Sequence, residues 1–75
     1  METYKDINGD SGVSAYEIGN DYIKVKFKHG NDIYLYTYAR PGAEHVERMK
    51  ELAKSGDGLN AYININVRDK YESKS

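Results

Sequence analysis

Oxygen-bearing side chains near the start of the 75-residue chain have the spacing of a calcium-binding loop. Asp6, Asn8 and Asp10 alternate with other residues, and Glu17 stands at the last ligand position of such a loop. Ser11, however, occupies the position where a calcium loop needs glycine for its sharp turn, and too few residues precede the loop for an entering helix. The sequence therefore predicts a solvated loop and no metal site.

The other reactive residue types form no catalytic or metal-binding pattern. The chain has no cysteine, which excludes a disulfide framework, a thiolate zinc site and a cysteine nucleophile. Its two histidines, His29 and His45, lack the HxxxH or HExxH spacing of zinc sites, and no serine stands in a G-x-S-x-G elbow. No glycine-rich stretch matches a phosphate-binding P-loop. We therefore expect no catalytic residue, no cofactor and no enzyme activity.

Basic and amide side chains in two alternating segments form the pattern that most favours ligand binding. If both segments are strands of one sheet, these side chains share its open face, where cations contact phosphates and a ring stacks on a base. The alternative is a solvated sheet face whose lysines prevent aggregation. The candidate RNA-binding residues are Lys24, Lys26, Lys28, Tyr62, Asn64, Asn66 and Arg68.

The elements that position these residues follow from hydrophobic periodicity. Apolar residues recur at every second position in four segments, which predicts strands over 13–18, 22–28, 33–39 and 59–67. Between the third and fourth segments the period changes, because Val46, Met49, Leu52 and Ala53 recur at helical spacing. The predicted fold is therefore α+β and two-layered: an antiparallel β-β-β meander, one amphipathic helix on one sheet face, and a final strand (β-β-β-α-β).

Tyr34, Tyr36 and Tyr38 share one face of the third predicted strand, and turn length decides where that face points. A two-residue loop before this strand places the tyrosines beside the apolar residues of the second strand, in the core. A three-residue loop shifts the register by one and places them beside its lysines. The Gly30-Asn31 pair favours the two-residue loop.

Length and charge limit the domain organisation and the partners. The chain is long enough for one domain, over 13–71, which we expect to be preceded by a flexible arm, 1–12, and followed by a disordered tail, 72–75. A net charge of −1 excludes the broad basic field of a strong nucleic-acid binder. With no signal-peptide pattern and no long apolar run, we expect a cytoplasmic protein without membrane contact. The expected state is a monomer or weak self-association.

Three segments resemble the motifs of the KTSC domain family. Residues 27–36 resemble its central F-x-x-G…Y-x-Y signature, and 58–63 and 67–71 resemble its closing glycine-to-aromatic and I/V-K/R-x-x-Y elements. The likeness covers about 13–71. The residues that match the family motifs, for which a structural role is expected, are Phe27, Gly30, Tyr34, Tyr36, Gly58, Tyr62 and Tyr71.

The resemblance to the KTSC family implies a function class rather than an activity. The family takes its name from an extension at the C-terminus of some lysyl-tRNA synthetases, and it also includes small free-standing bacterial proteins. It implies a bacterial, non-catalytic binding domain, with weak RNA binding as the first hypothesis. The alternative is a protein–protein interaction or accessory module with no nucleic-acid role, which near-neutral charge and a high tyrosine content favour.

Overall fold

The computed structural model describes residues 1–7, 9 and 11–75. A five-stranded antiparallel sheet has the order β1-β2-β3-β4-β5. The strands are β1 (Glu2–Thr3), β2 (Val13–Ile18), β3 (Tyr22–Phe27), β4 (Ile33–Thr37) and β5 (Ser73–Lys74). The helices between β4 and β5 are α1 (Ala43–Ser55) and α2 (Leu59–Tyr62), the second continuing as a π-helical segment, Ile63–Val67. The predicted α+β class with an antiparallel meander is confirmed.

The register of the β3–β4 hairpin sends two of the three tyrosines of the third predicted strand into the core. Ile23 pairs with Tyr36 and Val25 pairs with Tyr34, so the rings lie on the apolar face of the hairpin. Tyr36 is fully buried and Tyr34 is half-buried. Tyr38 lies beyond the end of β4 and is 42% exposed. The inward orientation predicted from the Gly30-Asn31 turn is therefore confirmed for the two tyrosines within the strand.

The core lies between one face of the sheet and the helices. The buried residues of α1 include Val46, Met49 and Ala53, the stripe predicted from helical spacing. They join Ile23, Val25 and Tyr36 of the sheet in one hydrophobic cluster. Alternation within the strands directs the other side chains of the meander to the opposite face, here called the open face. The open face carries Ala15, Glu17, Tyr22, Lys24, Lys26, Ile33, Leu35 and Thr37.

The segment 59–67 is helical, and the predicted fourth strand is wrong. Leu59, Ile63 and Val67 are buried, whereas Ile65 is 81% exposed. A spacing of four residues is two strand periods and also about one helical turn, so these three residues fit both patterns. Only a strand would have buried Ile65 on the same face as these three residues. The helix instead adds one buried row to the core, and the closing strand is the short β5.

Both chain ends pair with the sheet, which corrects the predicted flexible arm and disordered tail. At the start, Glu2–Thr3 pairs with β2, and at the end Ser73–Lys74 pairs with β4. Tyr4 is 4% exposed, and its hydroxyl accepts a hydrogen bond from the Leu59 backbone N–H at 3.3 Å. The polar composition of the two chain ends gave no hydrophobic pattern from which to predict these strands. Backbone hydrogen bonds and one buried ring hold the ends in place.

Gly56 ends α1 and contacts the N-terminal segment. It adopts a left-handed conformation with φ of 78°, and its N–H bonds the Leu52 carbonyl at 3.0 Å. Its own carbonyl accepts a hydrogen bond from the Ile7 N–H at 2.9 Å. A Cβ atom at this position would lie 2.6 Å from the Lys5 Cβ, closer than such atoms approach. The position therefore requires glycine for both its φ and its close packing.

Candidate binding cleft

The three candidate lysines lie on or beside the open face, and two of them have carboxylate partners. The Lys24 Nζ lies 3.9 Å from Glu17, whose carboxylate also accepts a hydrogen bond from the Tyr22 hydroxyl at 3.0 Å. After the end of β3, the Lys28 Nζ donates to Asp6 at 2.8 Å. Lys26 has no ion pair with any residue that the structure describes. These carboxylate partners therefore reduce the positive charge that the three lysines present.

Asp6, the first residue of the calcium-like pattern, is engaged by protein donors. Its carboxylate accepts hydrogen bonds from Lys28 and from the Ser11 backbone N–H at 3.0 Å. The Lys28 bond, followed by the Ser11 bond, lowers the pKa of Asp6. Two other residues of the pattern, Asn8 and Asp10, lie outside the described residues. Among the residues that are described, no three His, Asp or Glu side chains form a group that could hold a metal ion.

Tyr62 and Asn66 lie on the C-terminal helix, here meaning α2 with its π-helical continuation. The Tyr62 hydroxyl lies 2.7 Å from Nδ1 of His45, a contact that joins the C-terminal helix to α1. Burial raises the pKa of Tyr62. The Asn66 side chain donates to the Tyr62 backbone carbonyl at 3.2 Å. Both residues therefore have local structural contacts.

The prediction that all seven candidate RNA-binding residues share one sheet face is wrong. Lys24 and Lys26 lie on the open face. The four candidates from 62 onward lie on the C-terminal helix or, for Arg68, at its C-cap, and this helix packs on the other side of the sheet. The error has one cause, the helical conformation of 59–67. A helix places residues four apart on one face, so it separates Asn66 from the pair Asn64 and Arg68.

Asn64 and Arg68 line a cleft of about 240 Å³ between the C-terminal helix and the sheet. Its walls also include aromatic residues from β3, from β4 and from the segment before β5. Three of these side chains are half-buried, and the fourth, Tyr36, is buried. The residues lining the cleft are Phe27, Tyr34, Tyr36, Ile63, Asn64, Arg68, Asp69 and Tyr71.

The aromatic rings of the cleft pack edge to face around Tyr34. Phe27 and Tyr71 have ring centroids 5.3 Å and 5.0 Å from that of Tyr34, each at an interplanar angle of 84°. Tyr71 also meets Tyr36 at 6.4 Å and 89°. Mutual edge-to-face contact is a favourable geometry for aromatic pairs. The aromatic walls of the cleft therefore stabilise one another in the absence of a ligand.

Polar groups of the cleft differ in charge between its base and its rim. Burial, and then the neighbouring Tyr34 and Tyr71, raise the pKa of Tyr36, so its hydroxyl stays neutral at physiological pH. At the rim, Arg68 is exposed and has no ion pair among the described residues. The Lys74 Nζ lies 5.7 Å from the Tyr34 ring centroid, and the acidic residue Asp69 also lines the cleft.

A second groove, of about 560 Å³, lies between α1 and Tyr62. Three of its lining residues are acidic, namely Glu44, Glu47 and Glu51, with Arg48 3.7 Å from Glu51. Carboxylates repel phosphate groups, so this groove does not suit a nucleic acid. Of the two grooves, the aromatic cleft has the cation, the amide and the rings that RNA recognition uses.

Comparison of the chain with family models, with curated proteins and with solved structures finds no match to any of them. The resemblance to the KTSC family therefore stays a prediction. Four of its motif residues, Phe27, Tyr34, Tyr36 and Tyr71, do lie together in the cleft. Over the described part of the chain, no helix has the length and apolar character needed to cross a membrane.

Sequence reasoning missed the cleft, although a signal for it was present. Asn64 and Arg68 are four residues apart, and Tyr71 follows three residues later. On a helix this spacing places Asn64 and Arg68 on one face, next to the point where the chain turns back to the sheet. Reading 59–67 as a strand also places these two residues on one face, but it assigns that face to the open side of the sheet, away from Phe27, Tyr34 and Tyr71.

Proposed function

We propose that the protein is a small non-catalytic binding domain that binds single-stranded RNA weakly through its aromatic cleft. The observation that carries this proposal is the meeting of Asn64 and Arg68 with a cluster of aromatic rings. Single-stranded RNA is recognised by ring stacking, by hydrogen bonds to base edges and by cations on phosphates. The resemblance to the KTSC family supports the proposal, because motif residues of that family form the walls of the cleft.

Charge accounts for the weakness that we propose. Three cations lie at or near the cleft: Arg68 lines it, Lys74 lies over the Tyr34 ring, and the Arg40 guanidinium donates to the Asp69 backbone carbonyl at 3.4 Å. Lys74 already lies 3.9 Å from Asp32. Few phosphate contacts are therefore available, and each one contributes affinity by releasing a counterion. A net charge of −1 adds no long-range attraction. The proposed affinity depends on rings and amides as much as on cations.

The non-catalytic part of the proposal rests on the side chains that meet one another. Among the hydrogen bonds that the structure describes, the His45 ring contacts a tyrosine hydroxyl and not a serine. With no cysteine in the chain, a histidine-activated thiol nucleophile is excluded. The cleft is also small in volume compared with sites that enclose a drug-sized substrate, about 300–1,000 Å³.

Salt-dependent binding tests the proposal. Fluorescence anisotropy with a labelled single-stranded RNA should show affinity that falls steeply between about 50 and 200 mM salt. Arg68→Gln should weaken binding and reduce the salt slope by about 1, because one phosphate contact is lost. Lys26→Gln removes the same charge from the opposite side of the sheet and is the matched control, expected to retain wild-type binding.

Two results would contradict the proposal in different ways. Absence of binding at all salt concentrations would exclude an RNA role for this domain. Loss of binding in Lys26→Gln with retention in Arg68→Gln would move the RNA site to the open face. In that case the cleft would not be the binding surface.

The open face favours a second candidate, a protein-interaction module. Ile33 and Leu35 are half-buried apolar residues on this face, and the helices pack on the opposite one. Apolar side chains beside tyrosine and lysine stems are common at protein interfaces. A partner or self-association that buries Leu35 should be weakened by Leu35→Ala in pull-down and sedimentation experiments. Unchanged behaviour of this variant, together with unchanged Tyr22→Ala, would count against an interface on this face.

A further inference from the structure

The size of the aromatic cleft limits what it can enclose. A cleft of about 240 Å³ is smaller than the range of roughly 300–1,000 Å³ for sites that enclose drug-sized ligands. A volume below that range favours a single planar ring system, with its attached sugar outside the cleft. The opening is present without a ligand, beside rings that pack edge to face around Tyr34.

The polar residues that line the cleft match the parts of a nucleotide in type. Tyr36 is a buried residue of the lining, and the exposed Asn64 lies on the adjoining C-terminal helix. An amide offers both a donor and an acceptor, which is the complement of a base edge. Arg68, at the C-cap of the same helix, is exposed and also lines the cleft. A guanidinium at that position suits a phosphate outside the cleft.

Asp69 favours a nucleotide over a free phosphate as the ligand. It is an acidic residue that lines the same cleft, and its negative charge opposes the binding of an anion alone. A ligand must therefore gain most of its affinity from the rings and the amide, and less from Arg68. The Lys74 ammonium group lies over the Tyr34 ring, 5.7 Å from its centroid, so a base that stacks on this face must displace it.

We infer that the cleft is a pocket for a single nucleotide of RNA. The base enters beside Tyr34 and Tyr71, Asn64 hydrogen-bonds its edge, and Arg68 contacts the phosphate. This inference rests on the proposed function, and it adds that the domain binds one base at a time and binds free mononucleotides.

Titration of the intact protein with small molecules tests the pocket. Backbone amide resonances are followed by NMR during addition of the four ribonucleoside 5′-monophosphates, of ribose 5-phosphate and of inorganic phosphate. The best mononucleotide should bind about 5- to 150-fold more tightly than ribose 5-phosphate, the range that stacking of one base provides. Its shifts should gather on Tyr34, Asn64, Arg68 and Tyr71, with inorganic phosphate the weakest ligand.

A matched pair of variants tests the role of the amide. Asn64→Ala should weaken mononucleotide binding about 5-fold or more, because a base-edge hydrogen bond is lost. Asn66→Ala removes the same group from the same helix, but its side chain bonds the Tyr62 carbonyl and does not line the cleft. This control should bind like the wild-type protein. Both asparagines are exposed, so neither variant should lose its fold.

The outcomes test the single-nucleotide pocket separately from the proposed RNA binding. Equal affinity for mononucleotides and ribose 5-phosphate, or equal behaviour of the two asparagine variants, would overturn the pocket. Salt-sensitive RNA binding that depends on Arg68 would still stand in that case. Failure of both RNA and mononucleotides to bind would overturn the pocket and the proposed function together.

Discussion

Tyrosine hydroxyl groups in this chain have different environments, and those environments set their chemistry. Burial raises the pKa of Tyr36 and of Tyr4, each held within the core. A carboxylate hydrogen-bond partner raises the pKa of Tyr22, where the hydroxyl bonds Glu17. The core therefore retains its tyrosines in the neutral form, which costs least to bury.

Alkaline pH should destabilise the protein because of these tyrosines. An unfolded tyrosine has a pKa near 10, and the folded Tyr36 has a higher one. The native state thus binds more protons above about pH 10, and the free energy of unfolding falls as pH rises through that region. Chemical denaturation of wild type and Tyr36→Phe at a series of pH values measures the effect.

The Tyr36→Phe variant separates the effect of Tyr36 ionisation on stability from that of the other tyrosines. Tyr36→Phe cannot ionise, so its free energy of unfolding should fall less steeply above about pH 10 than that of the wild type. The fall should persist in part, because Tyr4 and Tyr22 also have raised pKa values. Identical pH profiles for the two proteins would show that Tyr36 ionises as freely in the native state as in the unfolded state.

At the scale of elements, periodicity predicted most of the sheet and α1 but failed for the C-terminal helix. Strict alternation in β3 and the Val46–Met49–Ala53 spacing each fit only one period. Leu59, Ile63 and Val67 fit both periods, and the exposed Ala61 and Ile65 between them are what distinguish the helix from a strand. The strands β1 and β5 have two residues each and are too short to show a hydrophobic period. Backbone hydrogen bonds hold them in the sheet.

Two isoleucines test the helical conformation of 59–67. Ile63 is 3% exposed and Ile65 is 81% exposed. Ile63→Ala should lower the free energy of unfolding by about 2–5 kcal/mol, whereas Ile65→Ala should change it by less than about 0.5 kcal/mol. Urea denaturation of both variants checks this. Similar large losses for both would indicate that the two side chains face one buried side, as in a strand.

A pair of glycines tests the junction between α1 and the N-terminal segment. Gly56 and Gly9 have nearly the same positive φ, 78° and 73°, but a Cβ atom would meet neighbouring atoms only at Gly56. Gly9→Ala should cost about 1–2 kcal/mol from backbone strain. Gly56→Ala should cost about 1–3 kcal/mol more, because the added methyl overlaps Lys5. Equal losses in thermal or urea denaturation would show that the two segments do not pack closely there.

At the scale of the whole molecule, the sheet separates two surfaces of different chemistry. The open face carries Lys24 and Lys26 with Ile33 and Leu35, and the cleft side carries Asn64 and Arg68 with aromatic rings. The sequence did not predict which of these residues lie together. That depends on the register of the β3–β4 hairpin and on the conformation of the C-terminal helix, and both follow from tertiary packing as well as from local pattern.

Mapping of the RNA-binding surface tests the central claim most directly. A short single-stranded RNA is titrated into isotope-labelled protein at low salt, and the backbone amides are followed by NMR. We predict that shifts gather on Asn64, Arg68 and Tyr71 and reverse when salt is added. Shifts that gather instead on Lys24, Lys26 and Leu35, or that appear nowhere, would contradict the assignment of the aromatic cleft as the RNA-binding site.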